Sequence, residues 1–173
     1  MRKLLIITAV FALAALVTAG MAGAQSGTTV RVLGEEDVVP NVKIFSNFRF
    51  SPGPVTVKSG DLVTWVNAGS TPAPHTITLV DSADLPATFF EVFGCQAPGA
   101  PCGNALAGHF PGGPGGTPML VLDVGAAGLN TPGDSLLLFP GGSATANVSA
   151  LAGSTLSYLC AIHPWMQGTI NVK

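Results

Sequence analysis

Short runs rich in Val, Ile, Phe and Thr recur along most of the chain and are broken by Gly, Pro, Asn and Ser. They fall at 29–33, 42–50, 54–58, 61–67, 75–80, 135–139, 144–149, 155–160 and 168–172. Several alternate apolar with polar, as in Val55-Thr56-Val57-Lys58 and Thr169-Ile170-Asn171-Val172, which is the period of a half-buried strand. The pattern predicts an all-β sandwich or barrel. Nothing past the first residues sustains the spacing of a long amphipathic helix, and 22 Gly with 14 Pro interrupt one repeatedly, so helix is expected to be minor. Between Asp81 and Gly133 the alternation loosens, and about 82–133 reads as a long, partly looped insertion in which Met119 to Val124 adds an edge strand.

The first residues differ from all of this. A basic start at Arg2 and Lys3, an apolar stretch from Leu4 to Val17 and the small residues Ala22-Gly23-Ala24 have the layout of a secretory signal peptide cleaved after Ala24. A retained anchor is the competing reading, but the apolar core is shorter than the roughly 20 residues a span requires. Residues 25–173 are then expected to form one domain, exported to a periplasmic or extracellular compartment.

Charge narrows the function by exclusion. Two of the seven basic residues lie in the leader, leaving five against nine acidic ones, so no clustered Lys and Arg offer a footprint for nucleic acid. Cysteine is more informative. In an oxidising compartment thiols tend to pair, and three cysteines cannot all pair within one chain. Cys95 and Cys102, in CQAPGAPC, suit a tight loop closed by a disulfide, whereas Cys160 needs another fate, which a metal would supply.

The stretch Tyr158 to Gly168, YLCAIHPWMQG, places Cys160, His163 and Met166 at intervals of three. A thiolate, an imidazole and a thioether in one turn can face one soft cation, and two His and one Cys with a weak axial Met define a blue-copper site. The missing imidazole is expected from His75, in Thr71-Pro-Ala-Pro-His-Thr. His109, in AGHFPGG, reads as a solvated loop histidine. Trp165 reads equally as hydrophobic cover over the metal or as an apolar surface beside His163.

The runs GDLVTWVNAGSTPAPHTITL (60–79), NFRFSPGPVTVKSGD (47–61) and SYLCAIHPWMQGTINVK (157–173) resemble the plastocyanin-like cupredoxins, and the short Cys-to-Met loop most resembles that of amicyanin. The resemblance implies a Greek-key β-sandwich. It implies one type 1 copper ion held by His75, Cys160, His163 and Met166, and a one-electron carrier cycling Cu(II) and Cu(I) between redox protein partners. An enzyme is not expected, because catalytic copper needs several further histidines and the chain has three in all. Copper trafficking without electron flow is the alternative, although the Met- or His-rich clusters of such carriers are missing from the sequence. Monomer is the expected state. The chain departs from the family in two places: Thr76 stands where the best-known members have Asn, and 85 positions separate His75 from Cys160. The insertion has no role that the resemblance supplies, and excision of 93–117 is expected to spare the copper colour.

Overall fold

The structure, a computed structural model, describes residues 27–68, 73–113 and 115–173. The expected leader at 1–24 lies outside the described residues. Strand β1 (Gly27–Leu33) turns Val30 and Val32 inward and Thr29 and Arg31 outward. The chain then leaves the sheet at Gly34, where φ is 120° and a Cβ would stand 2.7 Å from Asn47 and Phe48. It runs out and back as an exposed hairpin of β2 (Glu36–Val39) and β3 (Lys43–Ser46) and returns as β4 (Arg49–Ser51). Asn47 pinches the base of this excursion, its Oδ1 accepting from Glu35 N at 2.7 Å and its N donating to Glu35 O at 3.1 Å. The apolar run at 42–50 is therefore two strands, and β2 is an addition to the sequence reading, whose pattern there was masked by acidic residues.

The remaining elements are β5 (Pro54–Val57), β6 (Leu62–Asn67), β7 (His75–Val80), a 3-10 turn at Ser82–Asp84, α1 (Phe89–Cys95), α2 (Pro101–His109), β8 (Val121–Leu122), β9 (Ser135–Leu138), β10 (Ser143–Asn147), β11 (Thr155–Leu159) and β12 (Gln167–Val172). They form a four-stranded sheet, β10-β6-β1-β4, and a six-stranded sheet, β5-β12-β11-β7-β9-β8. Pairing is antiparallel except for β1 with β6 and β5 with β12. The sheets close over Val32, Trp65, Ile77, Leu79, Tyr158 and Ile170. This is the expected all-β sandwich, and the predicted edge strand at Met119 to Val124 is β8, at the border of the larger sheet.

The insertion is more ordered than the sequence reading has it. Helix α1 starts at a capping box in which Thr88 Oγ1 accepts from Glu91 N while Glu91 Oε2 accepts from Thr88 N at 2.9 Å and Ala87 N at 2.8 Å. Those bonds, led by that from Ala87, hold the Glu91 carboxyl below its ordinary range. Helix α2 has Pro101 in its first turn, where a missing N–H costs nothing. A disulfide joins Cys95 at the end of α1 to Cys102 in α2, as expected from the spacing.

Strand β7 is buried at all six positions, and so are the four of β9. A strand loses its alternation when both faces are covered. One face of β7 looks into the sandwich; the other is roofed by the insertion, where Val80, Leu159 and Ala161 pack with Cys95, Cys102 and Ala105 in a second, smaller core. Among the described residues no helix is long and apolar enough to cross a membrane.

Candidate metal centre

His75 opens β7, opposite Leu138 of β9, and the segment leading into it is held by Asn67 Nδ2, which donates to Ala73 O at 3.0 Å. Cys160 follows the last residue of β11. The pair Leu159 and Gln167 closes the β11–β12 hairpin, so Cys160 to Met166 forms its tip. Two backbone bonds tighten that tip: Cys160 N donates to Met166 O at 3.0 Å and Met166 N to His163 O at 2.8 Å. The spacing of three therefore becomes a turn in which Cys160 and His163 face the same point as His75.

Cys160 Sγ lies 3.7 Å from Nδ1 of His75 and 3.7 Å from Nδ1 of His163, and the two Nδ1 atoms are 3.2 Å apart. A point in the plane of three atoms so separated stands about 2.1 Å from each, within the range of about 2.0–2.3 Å of metal–imidazole and metal–thiolate bonds. The donor triangle has the size of a metal ion. All three residues are buried, and Met166, 1% exposed, lies in the core beside them. The ring of Phe48 sits edge-on to both imidazoles, at 4.9 Å from His75 and 5.0 Å from His163.

Burial keeps both imidazoles neutral. Desolvation lowers the pKa of His75 to about 4, with a smaller push from His163, and desolvation likewise takes His163 to about 4. Neutral imidazole is the form that ligates. Burial also raises the pKa of the Cys160 thiol, partly opposed by hydrogen bonds led by Thr76 N, which donates to Sγ at 3.3 Å. With a cation bound, the thiol would give up that proton and Cys160 would serve as thiolate.

Surrounding groups hold the tip. Thr76 Oγ1 accepts from Ala161 N at 2.7 Å, so threonine performs a tethering role for the cysteine loop by a hydroxyl. Gln96, which caps α1, donates from Nε2 to Ala161 O at 3.1 Å and Ile162 O at 2.9 Å. Gln167 Nε2 donates to Pro86 O at 2.7 Å and Pro164 O at 3.2 Å. The insertion thus binds the ligand loop directly, against the expectation that 93–117 is independent of the centre. Gln96 escaped the sequence reading because nothing in its neighbourhood marks a partner 65 residues away.

Toward solvent, the Trp165 ring lies 5.3 Å from that of His163 and is 41% exposed, so it both covers the imidazole and presents an apolar surface. Glu36 of β2 brings a carboxylate oxygen to 3.9 Å from His163 Nε2. One expectation is corrected: His109 is not a solvated loop histidine. It ends α2, is fully buried, and places Nδ1 2.6 Å from Met119 O and Nε2 2.7 Å from Ser135 Oγ. Its Gly- and Pro-rich surroundings in sequence suggested solvent, but helix α2 turns it inward onto Ser135 of β9.

No family model and no curated protein matches the chain. Among solved structures, a purple cupredoxin from Nitrosopumilus maritimus is 15% identical over 84% of this chain and 99% of its own, with a TM-score of 0.44. Auracyanin from Roseiflexus castenholzii is 18% identical over 87% of this chain and 99% of its own, with a TM-score of 0.45. Plastocyanin from the fern Dryopteris crassirhizoma is 24% identical over 84% and 100%, with a TM-score of 0.39. With two sheets packed face to face and a histidine, cysteine and histidine converging at the tip of the β11–β12 hairpin, the chain has a cupredoxin-like β-sandwich fold.

Proposed function

We propose that the chain is a mononuclear type 1 copper protein that carries single electrons between redox proteins. The observation that carries this reading is the buried triangle of one sulfur and two imidazole nitrogens, sized for one metal ion. Two imidazoles and a thiolate with a weak thioether are the donor set of blue copper. On this reading His75, Cys160 and His163 would hold the ion together with Met166, whose thioether would complete the donor set.

Copper, when bound, supplies the one-electron couple between Cu(I) and Cu(II). The protein's part is to hold both states in nearly one geometry. A hydrogen bond accepted by Thr76 and others donated by Gln96 and Gln167 fix the loop from several sides, and Phe48 wedges both rings. Ligands that cannot move cost little to reorganise, which suits rapid outer-sphere exchange. Trp165 beside His163 is the exposed apolar surface through which a partner is met. The reading includes export, with residues 1–24 as a cleaved signal peptide.

The test is the visible spectrum of the purified protein loaded with Cu(II), set against Cys160→Ser. An intense thiolate-to-copper band that disappears in the variant is the expected result. A colourless protein that takes up no copper overturns the reading, and one that binds copper but sheds it on electrochemical cycling points to trafficking.

A further inference from the structure

The outward face of β7 carries Thr76 and Thr78, and Ser135 stands opposite Thr78 on β9. All three are buried, as is His109 above them. Buried hydroxyls and imidazoles are costly unless each finds a partner, and here they satisfy one another in single file. His109 Nδ1 is 2.6 Å from Met119 O, and His109 Nε2 is 2.7 Å from Ser135 Oγ. Ser135 Oγ is 2.7 Å from Thr78 Oγ1, which is 2.9 Å from Thr76 Oγ1. Thr76 Oγ1 is 2.7 Å from Ala161 N, next to Cys160.

The two ends determine every proton between them. A carbonyl only accepts, so His109 Nδ1 carries the hydrogen directed at Met119 O. In the neutral ring Nε2 then accepts, and Ser135 donates to it. Ser135 in turn accepts from Thr78, and Thr78 from Thr76. Thr76, having given its hydrogen inward, offers its oxygen to Ala161 N–H, which can only donate. Burial lowers the pKa of His109, against a smaller opposing effect of the Met119 carbonyl, and so favours the neutral ring that the file requires, while the carbonyl at Nδ1 selects its tautomer. An imidazolium would donate at both nitrogens and turn the hydroxyls round, so that the Thr76 hydrogen would lose its partner in the file.

We propose that His109 is a positioning residue of the metal centre. Lying outside the donor set, it acts through Ser135 and Thr78 to hold the Thr76 hydroxyl in its accepting orientation and so steadies the backbone next to Cys160. The insertion thereby reaches the centre by a buried hydroxyl relay that starts in α2. The effect on copper rests on the proposed function; the relay itself does not.

Two measurements separate these. In the metal-free protein, amide hydrogen exchange at Ala161 is followed in Ser135→Ala, His109→Phe and Thr76→Val. Ser135→Ala interrupts the relay while leaving the bond from His109 to Met119 in place, so it serves even if His109→Phe does not fold. Ser135→Ala is expected to quicken exchange at Ala161 a few-fold, Thr76→Val about tenfold, the equivalent of one net hydrogen bond, with Val30 and Val32 amides unchanged. Acceleration in Thr76→Val alone would overturn the relay and leave His109 as packing. In the copper-loaded protein, Ser135→Ala and His109→Phe are expected to shift the reduction potential in one direction, and the double variant by no more than the larger single shift. Unmoved or additive potentials overturn the action on the centre. Failure of every variant and of the parent to take up copper, with the Ala161 result intact, refutes the proposed function and not the relay.

Discussion

Cys160 and the two histidines have the protonation states that suit a metal-binding set: two neutral imidazoles and a thiol whose proton a cation would displace. The metal-free protein therefore has an acid liability. Between about pH 4 and 6.5 the unfolded chain binds more protons on His75 and His163 than the native one, so stability falls as pH falls through that window. The melting temperature of the metal-free protein is expected to drop between pH 6.5 and 4 and to drop less in a His75→Asn, His163→Asn double variant; equal drops would place the acid sensitivity elsewhere. Gly168 illustrates a different constraint. It faces Tyr158 across the hairpin, and a Cβ there would lie 2.2 Å from the Tyr158 ring. That ring is buried between Phe50 and Trp65 and cannot swing away. Gly168→Ala is expected to cost about 1–3 kcal/mol in denaturant unfolding, the usual penalty of overpacking.

At the level of elements, the insertion and the ligand hairpin form one structure. Helix α1 ends at Gln96, whose amide serves two carbonyls of the loop between Cys160 and His163, and the disulfide ties α1 to α2, which carries His109. Gln96→Ala is expected to raise the rate of copper loss to a chelator about tenfold, in line with other partners of metal ligands, while the strand core unfolds at nearly its former denaturant concentration. Excision of 93–117 is expected to impair the copper colour. Both helices have local signatures that sequence inspection can find: Thr88-Phe-Phe-Glu91 is a capping box and Pro101 stands at a first turn. Abundant Gly and Pro concealed them, because the helices are short and take no apolar periodicity from their own length.

Over the whole molecule, polarity is distributed unevenly. The β2–β3 hairpin exposes Val38, Val42, Ile44 and Phe45, α1 exposes Phe89, Phe90 and Phe93, and Trp165 stands beside His163. On the proposed function, with few charges to steer an encounter, contact by the exposed Trp165 surface over the buried His163 ring is the natural route for exchange. Trp165→Ala is expected to preserve the copper spectrum and slow electron self-exchange on the order of tenfold, the worth of one modest interface contact. A spectrum that changes with the rate would assign Trp165 to the centre itself.

The sandwich and most of the candidate donor set were legible in the chain because their causes are local. Alternation with period two marks a half-buried strand wherever it occurs, and Cys160, His163 and Met166 share one turn, so their spacing already states that they meet. His75 needed the resemblance to be paired with them, since no local rule joins positions 85 apart. The fully buried β7, the covered His109, the clamp from Gln96 and the file of hydroxyls had no such signature. Each depends on which face of which strand the insertion comes to cover, a question of packing between segments distant in sequence, and burial then converts ordinary Thr, Ser and His side chains into partners that must satisfy one another.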